Sequence, residues 1–394
     1  MKKLLLIGAG HTNAQVLRAW VHEPQPDVEV VVVAPSTRAP YSGMVPGWLS
    51  GVYAFEEICI DFFALARAAG AKLIVDELAS IDPDHRIVRL ASGRELGYDV
   101  LCLNVGSTLN PPALSDTLLL PLRPLGRLRS AWETLLSTIE RDAGTTPFTV
   151  TAVGGGAAGV EALLACLARL RAKQPGRVIR GQLVTRGASL LPGLAPGAVR
   201  SARRVLERAG VTIHLATQIN DEIARSSDLI LWATGAEAHA WQRDCGLAVS
   251  ERGFIRVDSH LRSVSHPDVF AVGDCAEWAD PLPKAGVYAV RMGPALVQNV
   301  RAALSGLADD LEHFRPQRNF LVLLATGDGN AIASRGRWSG HGRLLGRLLW
   351  LWKDRIDRKF LGLFRVAATG DEEHRPADVF TRIEPSRSVD GRTH

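Results

Sequence analysis

Cysteine is sparse and scattered in this chain. Cys59, Cys102, Cys166, Cys245 and Cys275 make no C-x-x-C pair and no zinc-type spacing, so a local redox disulfide is excluded and no metal site is expected. Cys102 and Cys166 sit in apolar segments where a thiol serves as a small hydrophobe, and only a pairing in space among Cys59, Cys245 and Cys275 stays open. No apolar run reaches the roughly 18 residues that a membrane span needs. Lys2 and Lys3 ahead of Leu4, Leu5 and Leu6 resemble the start of a signal peptide, but the run breaks at His11, Thr12 and Asn13 with no cleavage site behind it. A cytoplasmic protein is expected. The net charge of +5 over 394 residues is modest and concentrated in the last quarter, so nucleic acid is not the expected partner.

What is present begins with Lys3 to Asn13, KLLLIGAGHTN. The apolar run Leu4 to Ile7 ends at Gly8 and Gly10, and helical spacing follows from Ala14 to Trp20. Strand, tight turn and helix in that order bring backbone amides and a positive helix end to a pyrophosphate. Asn13 stands where a third small residue usually packs helix against strand. A second copy adds weight: Phe148 to Glu161, FTVTAVGGGAAGVE, carries Gly154, Gly156 and Gly159, with Ala157 opening the next helix. Two such turns about one domain apart imply two nucleotides in one chain, and 46% hydrophobic content over this length suits two or three folded domains.

The segments between the turns fit that scheme. Val28 to Val33 is a continuous β-branched run, expected as a buried parallel strand. The acidic residue usual at its end, which would hold ribose hydroxyls, is missing; the chain reads Ala34, Pro35, Ser36, so Ser36 or backbone must serve. The shaped loop Ala39 to Gly51, with Tyr41, Ser42, Gly43 and Met44, is either a wall for an aromatic ring system or a cap over the core. Lys72 to Val105 alternates short strands with turns and closes at Gly106 and Ser107. Gln182 to Thr185 is expected as the second strand of the second nucleotide unit, ending at Thr185-Arg186 in place of an acid; Arg186 is either a 2′-phosphate ligand, favouring NADPH over NADH, or a surface arginine. Leu229 to Gly235 is the closing strand. In Val269 to Cys275, VFAVGDC, a strand runs into Gly273 and Asp274, which lets the backbone approach a ligand and offers a carboxylate to a polyol.

In this order, from glycine turn through meander, second turn, ATG strand and VFAVGDCA, the chain resembles the pyridine nucleotide-disulfide oxidoreductase superfamily over nearly its whole length. PYSGMVPGWLSGVY, PKAGVYAVRMGP and RPQRNFLVLLATGDGNAIASRG resemble the branch found fused ahead of selenide, water dikinase or standing alone, which is similar to type II NADH dehydrogenases and sulfide:quinone oxidoreductases. The resemblance implies an α/β fold of two Rossmann-like domains in a three-layer ββα arrangement. FAD would lie on the first turn with Gly8, Gly10, Gly106, Gly273 and Asp274, beside His11, Asn13, Ser36, Tyr41, Ser42, Gly43, Met44 and Ser107. NADH or NADPH would lie on Gly154, Gly156, Ala157 and Gly159, with Arg186 and Gly235 at hand. Glu161 and Lys284 are then the catalytic candidates, placed near the flavin by resemblance, where a lysine would stabilise an anionic reduced ring. The glutamine-rich quinone motif reads Ala289, Val290, Arg291, Met292 here, so a quinone acceptor is implied by kinship alone. The alternatives are oxidation of a sulfide or selenide species, which needs cysteines at the flavin, and a non-catalytic FAD-binding partner protein.

The expected division is an FAD domain from 1–115 and 255–308, a nicotinamide domain from 116–254, a C-terminal region from 309–370 and a polar tail from 371–394. Oligomeric state is open. Between Gly342 and Phe364, Leu344, Leu345, Leu348, Leu349, Trp352, Ile356, Phe360 and Leu363 project to one half of a helix, opposite Arg343, Arg347, Asp354, Asp357 and Arg358. Arg335 to Arg365 holds nine Lys or Arg against two Asp, with three Trp. That composition suits a helix lying on an anionic membrane face, and the same stripe equally suits a helix packed on the protein's own core.

Overall fold

The computed structural model describes residues 1–112, 117–142, 144–307, 311–317 and 319–366. The expected boundaries near 115 and 308 and the expected tail from 371 lie outside these residues. Two parallel five-stranded sheets organise the chain. The first runs Val269–Ala271, Val100–Leu103, Lys2–Ile7, Val28–Ala34, Lys72–Val75. Its central strand is flanked on both sides, with Leu4 opposite Val30 and Val100, and Leu4 to Ile7 are at most 2% exposed. That two-sided burial is why the strands are apolar throughout and do not alternate.

The second sheet repeats the plan in the order Leu118–Pro121, Leu229–Trp232, Phe148–Val153, Ile179–Val184, Val211–His214. Its second nucleotide-unit strand begins three residues earlier than Gln182 and stops at Val184, leaving Thr185 in the loop. In each sheet a glycine turn leaves the carboxyl end of the central strand and enters a helix, His11–His22 in the first and Ala157–Lys173 in the second. The expected meander is an antiparallel trio, Leu78–Asp82, Ile87–Leu90 and Glu95–Gly97. A long helix, Gly286–Ser305, lies against His11–His22 so closely that a Cβ on Gly293 would sit 2.2 Å from the Gln15 carboxamide.

The C-terminal part is a small antiparallel sheet, Val322–Ala325, Ala331–Arg335 and Trp338–Gly340, carrying the helix Arg343–Gly362. Gly346 permits that contact, since a Cβ there would stand 3.1 Å from Asn330. Among the described residues no helix is long and apolar enough to cross a membrane.

Candidate functional site

The first glycine turn is built around Asn104, at the end of the neighbouring strand. Gly8 has φ +94°, and a Cβ on it would fall 2.4 Å from the Asn104 carbonyl oxygen, so only glycine fits both the conformation and the space. Gly10 faces the Asn104 side chain, whose Oδ1 accepts from the amides of Thr12 at 3.1 Å and Asn13 at 3.2 Å. A neutral amide from another strand therefore caps two of the amides expected to be free, and the dipole end is offered through the Gly10 and His11 amides, which have no partner within the helix. Asn13 is fully buried behind the turn. Its Nδ2 donates to the carbonyls of Gly8 at 2.9 Å and Ile7 at 3.2 Å, so hydrogen bonds join helix to strand where small-residue packing is usual.

Around this turn, Ser36 accepts from the Arg38 amide at 3.2 Å, Met44 is core, and the His11 ring meets Tyr41 edge-on with centroids 5.1 Å apart. Burial holds the His11 pKa down to about 4, so the ring is neutral at physiological pH. Gly273 and Asp274 follow the strand Val269–Ala271 as expected. The Asp274 carboxylate is gripped at 2.5 Å by Arg123, which also binds Ser107 beside Gly106, while the Ser107 hydroxyl donates to Asp274 at 3.3 Å. Sequence reasoning missed Arg123: it follows Leu118–Pro121, an edge strand of the second sheet, 151 residues from its partner, with nothing local to mark it.

The second turn has the same logic. Gly154, at φ +128°, comes within Cβ contact of the Ala233 carbonyl, and a Cβ on Gly159 would strike the Gly154 carbonyl, whereas the space in front of Gly156 and Gly235 is open. Gly154, Gly156, Ala157 and Gly235 line a cavity of about 1550 Å³ together with Thr185 and Arg186, while Gly159 packs behind the turn and does not reach it.

The same cavity is walled by Tyr41, Ser42, Gly43, Glu161 and Lys284, and by Lys353, Ile356, Asp357 and Phe360 of Arg343–Gly362. Glu161 Oε1 accepts from the Ala325 amide at 2.8 Å, and burial pushes its pKa up to about 7 against the opposing pull of Lys353. Lys353 donates to the Gly43 carbonyl at 2.5 Å and to Asp357 at 2.6 Å. Burial raises the Asp357 pKa, and the same desolvation, with Asp357 beside it, raises that of Tyr41. Lys284 lines the cavity, but its ammonium is committed at 2.5 Å to the Ala276 carbonyl and lies 3.7 Å over the Phe254 ring.

The packing keeps most of the apolar stripe expected between Gly342 and Phe364 together on the exposed side, and corrects it in placing Leu349 and Asp357 on one inner face. Lys353 and Asp357 point inward with Leu349 and Leu361, while Leu344, Leu348 and Trp352 are 79%, 58% and 47% exposed. Leu345, Leu351, Ile356 and Leu363 are exposed with them. The reason is local: the inner face must satisfy Gly43, Tyr53 and the cavity, and Tyr53 donates to Asp354 at 2.6 Å while stacking on Trp350. None of the five cysteines is in a disulfide, and none lines the cavity.

Two parallel sheets, each with a glycine turn at the carboxyl end of its central strand, define an α/β protein with two dinucleotide-type turns; the second lines the large cavity, whereas Gly8, Gly10, Gly106 and Asp274 do not. Residues 2–302 match the pyridine nucleotide-disulphide oxidoreductase family, and the chain belongs to it; it is an FAD-dependent pyridine nucleotide oxidoreductase, with FAD and NAD(P)H as cofactors. It is 24% identical over 293 residues to ferroptosis suppressor protein 1 of Taeniopygia guttata, covering 68% of this chain and 73% of that one. It is 33% identical over 222 residues to the nitric oxide reductase FlRd-NAD(+) reductase of Salmonella typhimurium, covering 51% of this chain and only 52% of that relative. In fold it is similar to the sulfide:quinone oxidoreductase of Aquifex aeolicus, with TM-score 0.74, 15% identity and coverage of 93% and 92%. NDH2 of Plasmodium falciparum, solved with NADH, gives TM-score 0.69, 13% identity and coverage of 92% and 97%.

Proposed function

We propose that the chain is an NAD(P)H dehydrogenase passing electrons through FAD to a quinone-type acceptor at a membrane surface. The observation that carries this reading is the C-terminal helix, which walls the cavity with Lys353 and Asp357 and turns leucine and tryptophan outward. One element thus borders both a catalytic cavity and an apolar phase, which suits an acceptor that partitions into lipid. Likeness to a sulfide:quinone oxidoreductase supports the same acceptor class.

In this reading the first sheet, with Gly8, Gly10, Ser36, Gly106 and Asp274, holds FAD. The second sheet, with Gly154, Gly156 and Gly235, holds the nicotinamide nucleotide. The glycine cradles fit pyrophosphates, and Asp274 offers a carboxylate at a strand end to polyol hydroxyls. Bound FAD supplies hydride acceptance and onward electron transfer. The chain's own part is to orient the rings, exclude water and hold protons. Glu161, with a pKa near 7, is suited to hold one at neutral pH. Arg123 orients Asp274, and Lys353 keeps Asp357 and the Gly43 loop in place.

Oxidation of sulfide or selenide is the weaker reading, because no cysteine lines the cavity. The test is anaerobic mixing of the flavin-loaded protein with NADPH or NADH, followed by a short-chain quinone. Bleaching and then recovery of the flavin band is expected; a flavin that neither nucleotide reduces would favour a non-catalytic role.

A further inference from the structure

We propose that Arg186 makes the protein selective for NADPH by binding the 2′-phosphate of the nucleotide's adenosine ribose. The inference rests on the second glycine turn holding the nicotinamide nucleotide.

The strand Ile179–Val184 lies beside Phe148–Val153 in parallel register, so its carboxyl end comes out next to the glycine turn. The approach is close: a Cβ on Gly155 would be 3.0 Å from the Thr185 side chain. A carboxylate at this strand end accepts hydrogen bonds from the ribose hydroxyls of NADH and repels a 2′-phosphate. Here the position is Thr185, and its polar atoms serve the loop. Its Oγ1 accepts from the Gly187 amide at 3.2 Å, and its carbonyl from the Thr217 amide at 2.9 Å.

The next residue, Arg186, is exposed and lines the cavity. It has no ion-pair partner among the described residues, so its guanidinium is available to an incoming anion. Thr217, whose amide bonds to the Thr185 carbonyl, lines the same cavity with Gln218, Asn220 and Asp221 further along its segment, and Arg186 forms no ion pair with Asp221. Asp221 opens the first turn of the short helix Asp221–Arg225. The end of the cavity that receives an adenosine ribose therefore offers a free planar cation suited to a phosphate dianion, with the ribose carboxylate missing from its usual strand end.

The test is calorimetric titration of the purified, flavin-loaded protein with 2′,5′-ADP and with 5′-ADP, which needs neither turnover nor an acceptor. The wild type is expected to bind 2′,5′-ADP at least about tenfold more tightly, as one charge-assisted pair of this kind supports. Arg186→Ala should remove that advantage and leave 5′-ADP binding within about twofold. Thr185→Asp should disfavour 2′,5′-ADP specifically, because it restores the carboxylate. Equal wild-type affinities, or equal loss of both nucleotides in Arg186→Ala, as an arginine stacked on adenine would give, overturns the proposal. Binding of neither nucleotide overturns the assignment of the second glycine turn itself, and this inference with it.

Discussion

Lys353 donates to the Asp357 carboxylate at 2.6 Å, one helical turn further along, and both side chains lie buried beneath a helix that exposes leucine and tryptophan. The pair is shielded from water, so neither charge can be removed alone without leaving the other desolvated. Lys353 also donates to the Gly43 carbonyl, which fastens the helix to the loop around Tyr41 across 310 residues of sequence.

Lys353→Met should therefore destabilise the protein by about 3–5 kcal/mol, the usual consequence of orphaning a buried charge. Lys353→Met with Asp357→Leu should cost clearly less than the sum of the two single changes. Urea denaturation of the four proteins measures the difference; strict additivity would show that the two groups do not depend on each other.

Glu161 gives a pH-dependent prediction. Its pKa rises from 4.5 unfolded to about 7 folded, so between these values the folded state binds the proton more tightly. By linkage, stability falls as pH climbs through that window; the penalty is absent below 4.5 and complete above 7. Glu161→Gln keeps an acceptor for the Ala325 amide but removes the ionisable group. It should raise stability at pH 8 by on the order of 2 kcal/mol and change it little at pH 4.5. Melting curves at the two pH values decide this, and an equal shift at both would rule out ionisation as the cause.

The contrast between Gly10 and Asn104 marks how far the sequence could be read. Both glycine turns, the β-branched Val28–Ala34 strand and the helix Arg343–Gly362 were legible because their signals are local: glycine before a helix, an unbroken apolar run, a helical period. Asn13 was visible as a departure, but its bonds to Ile7 and Gly8 were not. The Asn104 cap reaches back 92 residues to Thr12, and Arg123 meets Asp274 across 151. The inward turn of Asp357 follows from what the helix packs on, and a helical wheel holds no information about that. Side chains whose partners come from distant strands leave no periodicity to find.

Asn104 supplies a further prediction. Asn104→Ala frees the Thr12 and Asn13 amides and should cost about 1 kcal/mol, as loss of a helix cap does. Gly10→Val places its new Cβ about where the Asn104 carboxamide stands, with 2.1 Å to Oδ1. Its loss of bound flavin should thus be partly relieved in the Asn104→Ala background. Flavin absorbance per protein after purification measures all three variants, and a double variant no better than Gly10→Val would place the clash elsewhere.

Gly156→Val separates the two nucleotide sites. The space in front of Gly156 is open, so the new Cβ meets no protein atom and the side chain fills the room through which a pyrophosphate would approach. The variant should fold and retain its flavin spectrum while losing bleaching by NAD(P)H. Undiminished bleaching would contradict the assignment of the second turn.

The exposed face of the last helix makes a prediction about surfaces. Leu344, Leu345, Leu348, Leu351 and Trp352 turn outward from Arg343–Gly362, Leu363 is exposed just past its end, and Trp338 is exposed on the adjoining strand. Arg343, Arg347, Arg355 and Lys359 are exposed on the same helix, so apolar and cationic groups share the outer surface. Insertion of the apolar face into a headgroup region would bury it, and each basic residue close to an anionic surface adds roughly 1 kcal/mol, screened by salt. Cosedimentation with anionic liposomes is therefore expected at low salt and should weaken as salt rises. Leu348→Glu with Trp352→Glu should abolish it without unfolding the protein, because both side chains face away from the core. Lys353→Met, on the inner face, should leave liposome binding intact if the helix stays folded. Protein that remains in the supernatant at low salt would remove the membrane from the proposed function.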